Sequence, residues 1–336
     1  RAKLVVNSPY NQRQDAYAQS VIRGKLVDKN GNTLAETVVD EDGNESRNYP
    51  YGELFAHVIG YSNDKLGKTG LESVENFELL TSNAFFIEKL KNEFSETKNM
   101  GDTVVTTLDA DLQQAAYQAL GENKGAVVVM EAATGKILAM VSKPAYDPNN
   151  IVAAWSDLNS DDTNSPLLNR ATQGQYAPGS TFKIVAATAG VMEGVVGAYD
   201  TINCTGKFQL ISPDVNCWIY SERYKSGSHG PLTLSQAIKE SCNFYFNTVG
   251  YMLGKTSDFT NLTPETDADG NVVQSSTYND AQAISTLTKY AAMYGFDANT
   301  GIEIDETAPH VSTADGARTA MGQAGNTFTT SQLSRY

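Results

Sequence analysis

Histidine and cysteine are both scarce in this sequence, with three of each among 336 residues: His57, His229 and His310, and Cys204, Cys217 and Cys242. So few imidazoles argue against a His-rich metal centre. The cysteines lack the close pairs that structural zinc sites usually present, so no metal ligand is assigned and no cofactor is expected. Cys204 and Cys217 flank a loop containing Gly, Pro and Asp; pairing in an oxidising compartment depends on a separation that sequence leaves open. Positive charge is also in short supply: 25 Lys and Arg face 39 Asp and Glu, a net charge of −14, with no basic cluster. Nucleic acid is therefore not expected as a partner. No apolar run reaches bilayer length, and the longest, such as IVAATAGVM, are core-sized. There is no initial Met, no signal-peptide pattern and no internal repeat.

What is present reads as a globular chain long enough for two domains, 40% hydrophobic and 19% charged. Residues 23–39 read as a hairpin about Asn30-Gly31, a pair suited to positive φ. GLESVENFELLTSN and AFFIEKLKNEFSE read as helices. GDTVVTTLDADLQQAAYQAL runs from a strand into a helix capped near Asp109. GAVVVMEAATGKILAMVSKP is a second hairpin, and AQAISTLTKYAAMYGF a further helix, after a polar loop over residues 256–280. A strand pair followed by several helices gives an α+β fold. The boundary is set near residue 100, dividing a smaller mixed accessory domain (1–100) from the main domain (101–336).

QYAPGSTFKIVAATAG places Ser180 and Lys183 one helical turn apart, directly after Pro178-Gly179. One reading is a helix cap and a solvated lysine. The other is a nucleophile and its base: positions i and i+3 share a helix face, and a helix N-terminus favours developing negative charge. A serine hydroxyl needs a base, and burial in the apolar stretch after Lys183 would keep its amine uncharged. In HGPLTLSQAIKESCNFYF, Thr233 and Gln236 form a capping box before a helix that runs to Ser241-Cys242-Asn243. Ser241 and Asn243 either end one helix and cap the next, or point a hydroxyl and a carboxamide into the same cleft. In the second case Ser241 relays a proton between Lys183 and a leaving amine, and Asn243 holds a peptide-like substrate.

Taken together these segments resemble the penicillin-binding proteins. NRATQGQYAPGSTFKIVAA resembles the family's nucleophile segment, HGPLTLSQAIKESCNFYFNTVG its second motif, here S-C-N, and ARTAMGQAGNTFTTSQLSRY the segment that follows. RGKLVDKNGNTLA, HVIGYSNDKLGKTGLE and GDTVVTTLDADLQQAAYQAL resemble the N-terminal part of the monofunctional class B type. The resemblance implies a serine-transpeptidase fold, an antiparallel sheet with helices on both faces. It implies a peptidoglycan D,D-transpeptidase with Ser180 as nucleophile, Lys183 as base, Ser241 as relay and Asn243 on the substrate. The implied partners are peptidoglycan stem peptides, β-lactam antibiotics and cell-wall synthesis proteins of the membrane. The implied location is the extracytoplasmic face of the bacterial membrane, with an anchoring helix upstream of Arg1. A penicillin-recognising scaffold or sensor, a D,D-carboxypeptidase and a β-lactamase would share much of this apparatus.

The family's third motif, K-[ST]-G, belongs beyond the last segment. Lys68-Thr69-Gly70 comes too early, and Lys255-Thr256-Ser257 follows Ser241 too closely. The expectation is a fragment lacking its C-terminal sheet strands and impaired in catalysis. Ala324 stands where the family usually has Gly. GYMLGKT and GYSNDKLGKT miss the P-loop spacing, and DEDGN and DADGN miss that of a calcium loop, reading instead as turns.

Overall fold

The computed structural model describes residues 21–82, 98–255, 264–273 and 275–336. The helix expected over AFFIEKLKNEFSE lies outside them. The described residues up to Gly174, with Gly301–Thr307 and Thr329–Arg335, form one compact unit. Those of Gln175–Thr300, with Ala308–Phe328 and Tyr336, form a second.

The first unit contains the expected hairpin. Strands β1 (Leu26–Val27) and β2 (Thr33–Val39) pair antiparallel, and Gly31 takes φ +87° in the turn between them. Asp28 Oδ1 accepts the backbone N–H groups of Asn30 and Asn32, each at 2.8 Å, so the carboxylate replaces bonds the turn cannot make itself. The same Asp-x-x-Gly-Asn turn recurs at DEDGN and DADGN, where Asp40 and Asp267 accept in the same way. Those stretches are turns. β3 (Glu45–Asn48) pairs with β2, and β4 (Val104–Val105) runs parallel to β1, giving the order β3-β2-β1-β4.

The helical reading of GLESVENFELLTSN resolves into α1 (Gly70–Val74) and α2 (Asn76–Leu80), broken at Glu75. Glu72 on α1 has no exposed side-chain surface. It holds Arg23 at 2.6 Å and Arg47 at 2.7 Å, and buried charge requires such pairing. Asp109 caps α3 (Ala110–Leu120) by accepting from Leu112 N at 3.0 Å. The second hairpin is β5 (Gly125–Met130) and β6 (Ile137–Lys143), in register with Val127 opposite Val141. Buried Gln113 on α3 fastens the helix to β6, donating to Met140 O and accepting from Met140 N.

The second unit is mainly helical. After α4 (Lys183–Met192) come two short antiparallel pairs, β7 (Ile202–Cys204) with β10 (Gly230–Leu232) and β8 (Lys207–Phe208) with β9 (Val215–Asn216). Then follow α5 (Leu234–Lys239), α6 (Asn243–Leu253), α7 (Asp280–Met293) and α8 (Gly316–Ala320). Every residue of α6 from Tyr245 to Leu253 is buried, because α4, α7 and α8 pack around it. A Cβ on Gly250 would stand 2.5 Å from Gly316 O, so glycine sets the approach of α6 to α8. Phe182, Phe296 and Phe328 form an aromatic floor beneath the entry to α4. Among the described residues no helix is long and apolar enough to cross a membrane.

Candidate active site

Ser180 lies in a 3₁₀ turn, Gly179–Phe182, that leads into α4 at Lys183. The sequence reading placed it at the start of an α-helix; the tighter turn brings residues i and i+3 closer to eclipsed. The turn is braced from the segment after α8: Gly179 N donates to Gly322 O at 2.9 Å. Gly322 takes φ +82°, and a Cβ there would lie 1.8 Å from Gly179 O, so only glycine fits.

Ser180 is exposed, whereas Lys183 is 2% exposed. Lys183 Nζ donates to Ser241 O at 2.7 Å, to Asn243 Oδ1 at 2.7 Å and to Ser241 Oγ at 3.0 Å. Ser241 Oγ in turn donates to Ser180 Oγ at 2.9 Å. The two segments 58 to 61 positions apart in sequence thus meet in one hydrogen-bonded chain. Burial pushes the Lys183 amine down to about 8, against the opposing pull of Cys242 and Cys217.

Ser241 and Asn243 occupy an elbow between two helices. α5 begins with the expected capping box of Thr233 and Gln236 and ends at Lys239. Ser241 then takes φ +49°, a left-handed conformation unusual for a residue with a Cβ. Cys242 is extended and caps α6, its Sγ accepting from Tyr245 N at 3.4 Å. Asn243 is the first residue of α6. The reversal at Ser241 lets its hydroxyl and its carbonyl both meet the lysine.

The structure therefore brings together all four residues singled out from the sequence. Ser180 and Asn243 border a cleft of about 420 Å³ that Arg318, Met321, Gln323 and Ala324 also line. The last four went unassigned as individual site residues; their signal was the GQ-containing segment that shares the family resemblance. Ala324 takes φ +63°, which explains why glycine suits this position. Of the rival Lys-Thr sequences, Thr69 has a local task, its Oγ1 accepting from Tyr61 N at 3.2 Å. Thr256 and Ser257 lie outside the described residues.

The cysteines are widely spaced along the chain, but strand pairing and the cap of α6 gather them. Cys204, Cys217 and Cys242 are unpaired. Their Sγ atoms and one ring nitrogen of His229 all lie within 4.8 Å of one another. Spacing in sequence did not report spacing in the fold.

An exposed serine is thus linked through a second serine to a buried lysine at the entry to a helix, and comparison with known proteins supplies the family. The chain belongs to the penicillin-binding proteins, of the class B type: residues 125–336 match the family described as penicillin binding protein transpeptidase domain. Residues 23–104 match the family described as penicillin binding protein A dimerisation domain. The chain is 35% identical over 267 residues to the peptidoglycan D,D-transpeptidase PbpA of Mycolicibacterium smegmatis, covering 73% of this chain and 52% of that protein. It resembles penicillin-binding protein A from Mycobacterium tuberculosis in its imipenem acyl-enzyme complex, with TM-score 0.74, 26% identity, and coverage of 94% of this chain and 69% of that one. It also resembles the D,D-transpeptidase domain of a peptidoglycan glycosyltransferase from Eggerthella lenta, with TM-score 0.73, 27% identity, and coverage of 94% and 68%. The chain spans about half the length of the curated relative PbpA.

Proposed function

We propose that the whole protein is a serine D,D-transpeptidase that cross-links peptidoglycan stem peptides outside the cytoplasmic membrane, and that β-lactams acylate the same serine. The observation that carries this reading is the chain Ser180 Oγ, Ser241 Oγ, Lys183 Nζ at the edge of an open cleft. The family membership and the acyl-enzyme complex of the M. tuberculosis relative support it.

The hydrogen bonds constrain how the proton moves. An ammonium has three N–H groups and fills all three contacts of Lys183. The neutral amine has two, and Ser241 O and Asn243 Oδ1 can only accept, so these oxygens take both. The nitrogen lone pair is then directed at Ser241 Oγ. In that state Ser180 donates to Ser241 and Ser241 donates to Lys183. The Ser180 proton reaches the base through Ser241 as Ser180 Oγ attacks the penultimate D-Ala carbonyl. The Ser180 N–H supplies one oxyanion donor, worth about 3–4 kcal/mol. As the C–N bond breaks, the proton returns by the same route to the departing D-Ala amine. An amine of a second strand then resolves the acyl-enzyme.

Asn243, which both holds Lys183 and borders the cleft, is assigned to the substrate peptide. Residues up to about 100 form the accessory domain and those from 101 the transpeptidase domain. Intact-mass measurement after penicillin treatment tests the reading, using the whole protein and its Ser180→Ala variant. A covalent adduct on the parent alone is the expected result. A parent chain without an adduct would count against it.

A further inference from the structure

Beside the catalytic elbow, and outside the proton path, lies the cluster of three buried thiols and an imidazole. Cys217 Sγ stands 3.8 Å from Cys242 Sγ. His229 Nδ1 stands 3.7 Å from Cys204 Sγ and 3.5 Å from Cys217 Sγ. For a tetrahedral ion with Zn–S near 2.3 Å and Zn–N near 2.0–2.1 Å, the ligand atoms must be about 3.8 Å apart for two sulfurs and about 3.6 Å for a sulfur and a nitrogen. The three separations at 3.5, 3.7 and 3.8 Å match those values, and all four ligand atoms lie within 4.8 Å of one another.

A disulfide does not account for the arrangement, because a disulfide needs sulfurs about 2.05 Å apart and all three cysteines are free. Simple core packing does not account for it either. Hydrophobic thiols have no need of an imidazole among them, and His229 turns its Nδ1 toward two of them. The cysteine side of the cluster is dry, with each cysteine no more than 1% exposed.

We propose that Cys204, Cys217, His229 and Cys242 bind one zinc ion, a Cys₃His structural site that pins the Ser241–Asn243 elbow to the two short β-pairs of the helical unit. The donor set fits the metal: soft thiolates with one imidazole select zinc, and four protein ligands make a closed, structural site rather than a catalytic one. Each ligand is fixed by a different element. Cys204 ends β7, where it pairs with Gly230 beside His229. Cys217 follows β9, and its N–H donates to Gly206 O at 2.8 Å. Cys242 caps α6, where the helix N-terminus favours a thiolate. Trp218 covers the imidazole edge-on, with ring centroids 5.3 Å apart, and anchors to Glu240 O at 3.0 Å.

The consequence for the elbow is mechanical. Cys242 is covalently between Ser241 and Asn243, so an ion that holds its sulfur restrains the strained φ of Ser241 and the start of α6. The shell is separate from the acyl-transfer reading: zinc binding stands or falls on these four side chains whether or not the protein cross-links peptidoglycan. Uptake of the ion releases the thiol protons to solvent and guards the thiols against oxidation in an oxidising compartment.

The test uses the chain itself, purified under reducing conditions. Metal analysis is expected to find one zinc per chain, and replacement by Co²⁺ to give thiolate charge-transfer bands with the intense visible absorption of a tetrahedral site. Cys204→Ser/Cys217→Ser is expected to lose both. Chelation of the parent chain is expected to raise hydrogen exchange in peptides spanning Ser241 and Cys242 while leaving the β5–β6 hairpin unchanged. A parent chain that takes up no zinc under reductant, a weakly absorbing octahedral Co²⁺ spectrum, or an intact mass two hydrogens short and free of metal would each overturn the proposal. The Co²⁺ spectrum and the exchange measurement need no variant, so a misfolded double mutant does not spoil the test. Loss of zinc with unchanged exchange at the elbow would overturn the pinning role.

Discussion

Ser241 Oγ lies 2.9 Å from Ser180 Oγ and 3.0 Å from Lys183 Nζ, so it stands between the hydroxyl to be activated and the amine that would activate it. Replacing Ser241 should therefore slow acylation even though both Ser180 and Lys183 remain. Loss of a positioned proton-transfer group costs typically 10²–10⁴-fold, and a loss of about that size is expected in the penicillin acylation rate of the whole protein. Ser241→Gly separates chemistry from folding, because glycine tolerates the φ of +49° at this position. It should fold at least as well as the parent and acylate as slowly as Ser241→Ala. Acylation by Ser241→Gly at the parental rate would remove Ser241 from the proton path.

The pH dependence follows from Lys183. Burial lowers its amine from the ordinary 10.5 to about 8. Only the uncharged form can take a proton, so the acylation rate should climb about tenfold per pH unit below that value and level off above it. A stopped-flow pH profile measures the midpoint. A flat profile between pH 6 and about 9 would be incompatible with an amine base.

Ala324 is expected to be a site of local strain. It takes φ +63°, which costs a residue with a Cβ about 1–2 kcal/mol, whereas glycine has only its greater unfolded-state entropy to offset. Ala324→Gly should stabilise the chain by up to about 1 kcal/mol, read as a rise in the denaturation midpoint.

Glu72 should be among the most sensitive positions of the first unit. It is fully buried and takes Arg23 and Arg47 on separate carboxylate oxygens. Glu72→Gln keeps the volume but leaves two largely buried guanidinium groups without a counter-charge, a loss expected at about 3–5 kcal/mol. Urea unfolding should report it, and a change within about 0.5 kcal/mol would mean that the pair is dispensable.

Local order was written into local sequence. The Asn30-Gly31 hairpin, the Asp109 cap, the Thr233–Gln236 capping box and the β5–β6 pair depend on residues a few positions apart. Turn, cap and alternation chemistry therefore suffices to find them. The break of GLESVENFELLTSN at Glu75 was not legible in this way. The segment has helical propensity throughout, and its break accompanies the packing of Glu72 and Asn76 around Arg23.

For the site, the sequence by itself determined the chemical groups: a serine and a lysine one turn apart, and a serine and an asparagine at a helix end, enough to name the family by resemblance. The tertiary structure decided how they connect. Whether Lys183 reaches Ser180 directly or through Ser241 depends on a backbone reversal at φ +49°, which no side-chain pattern specifies. The same holds for the thiols. Cys204, Cys217, His229 and Cys242 become neighbours because β7 pairs with β10 and a helix cap is laid beside them. Hydrogen-bonded pairing between distant segments is a property of the folded chain, and residue spacing carries no measure of it.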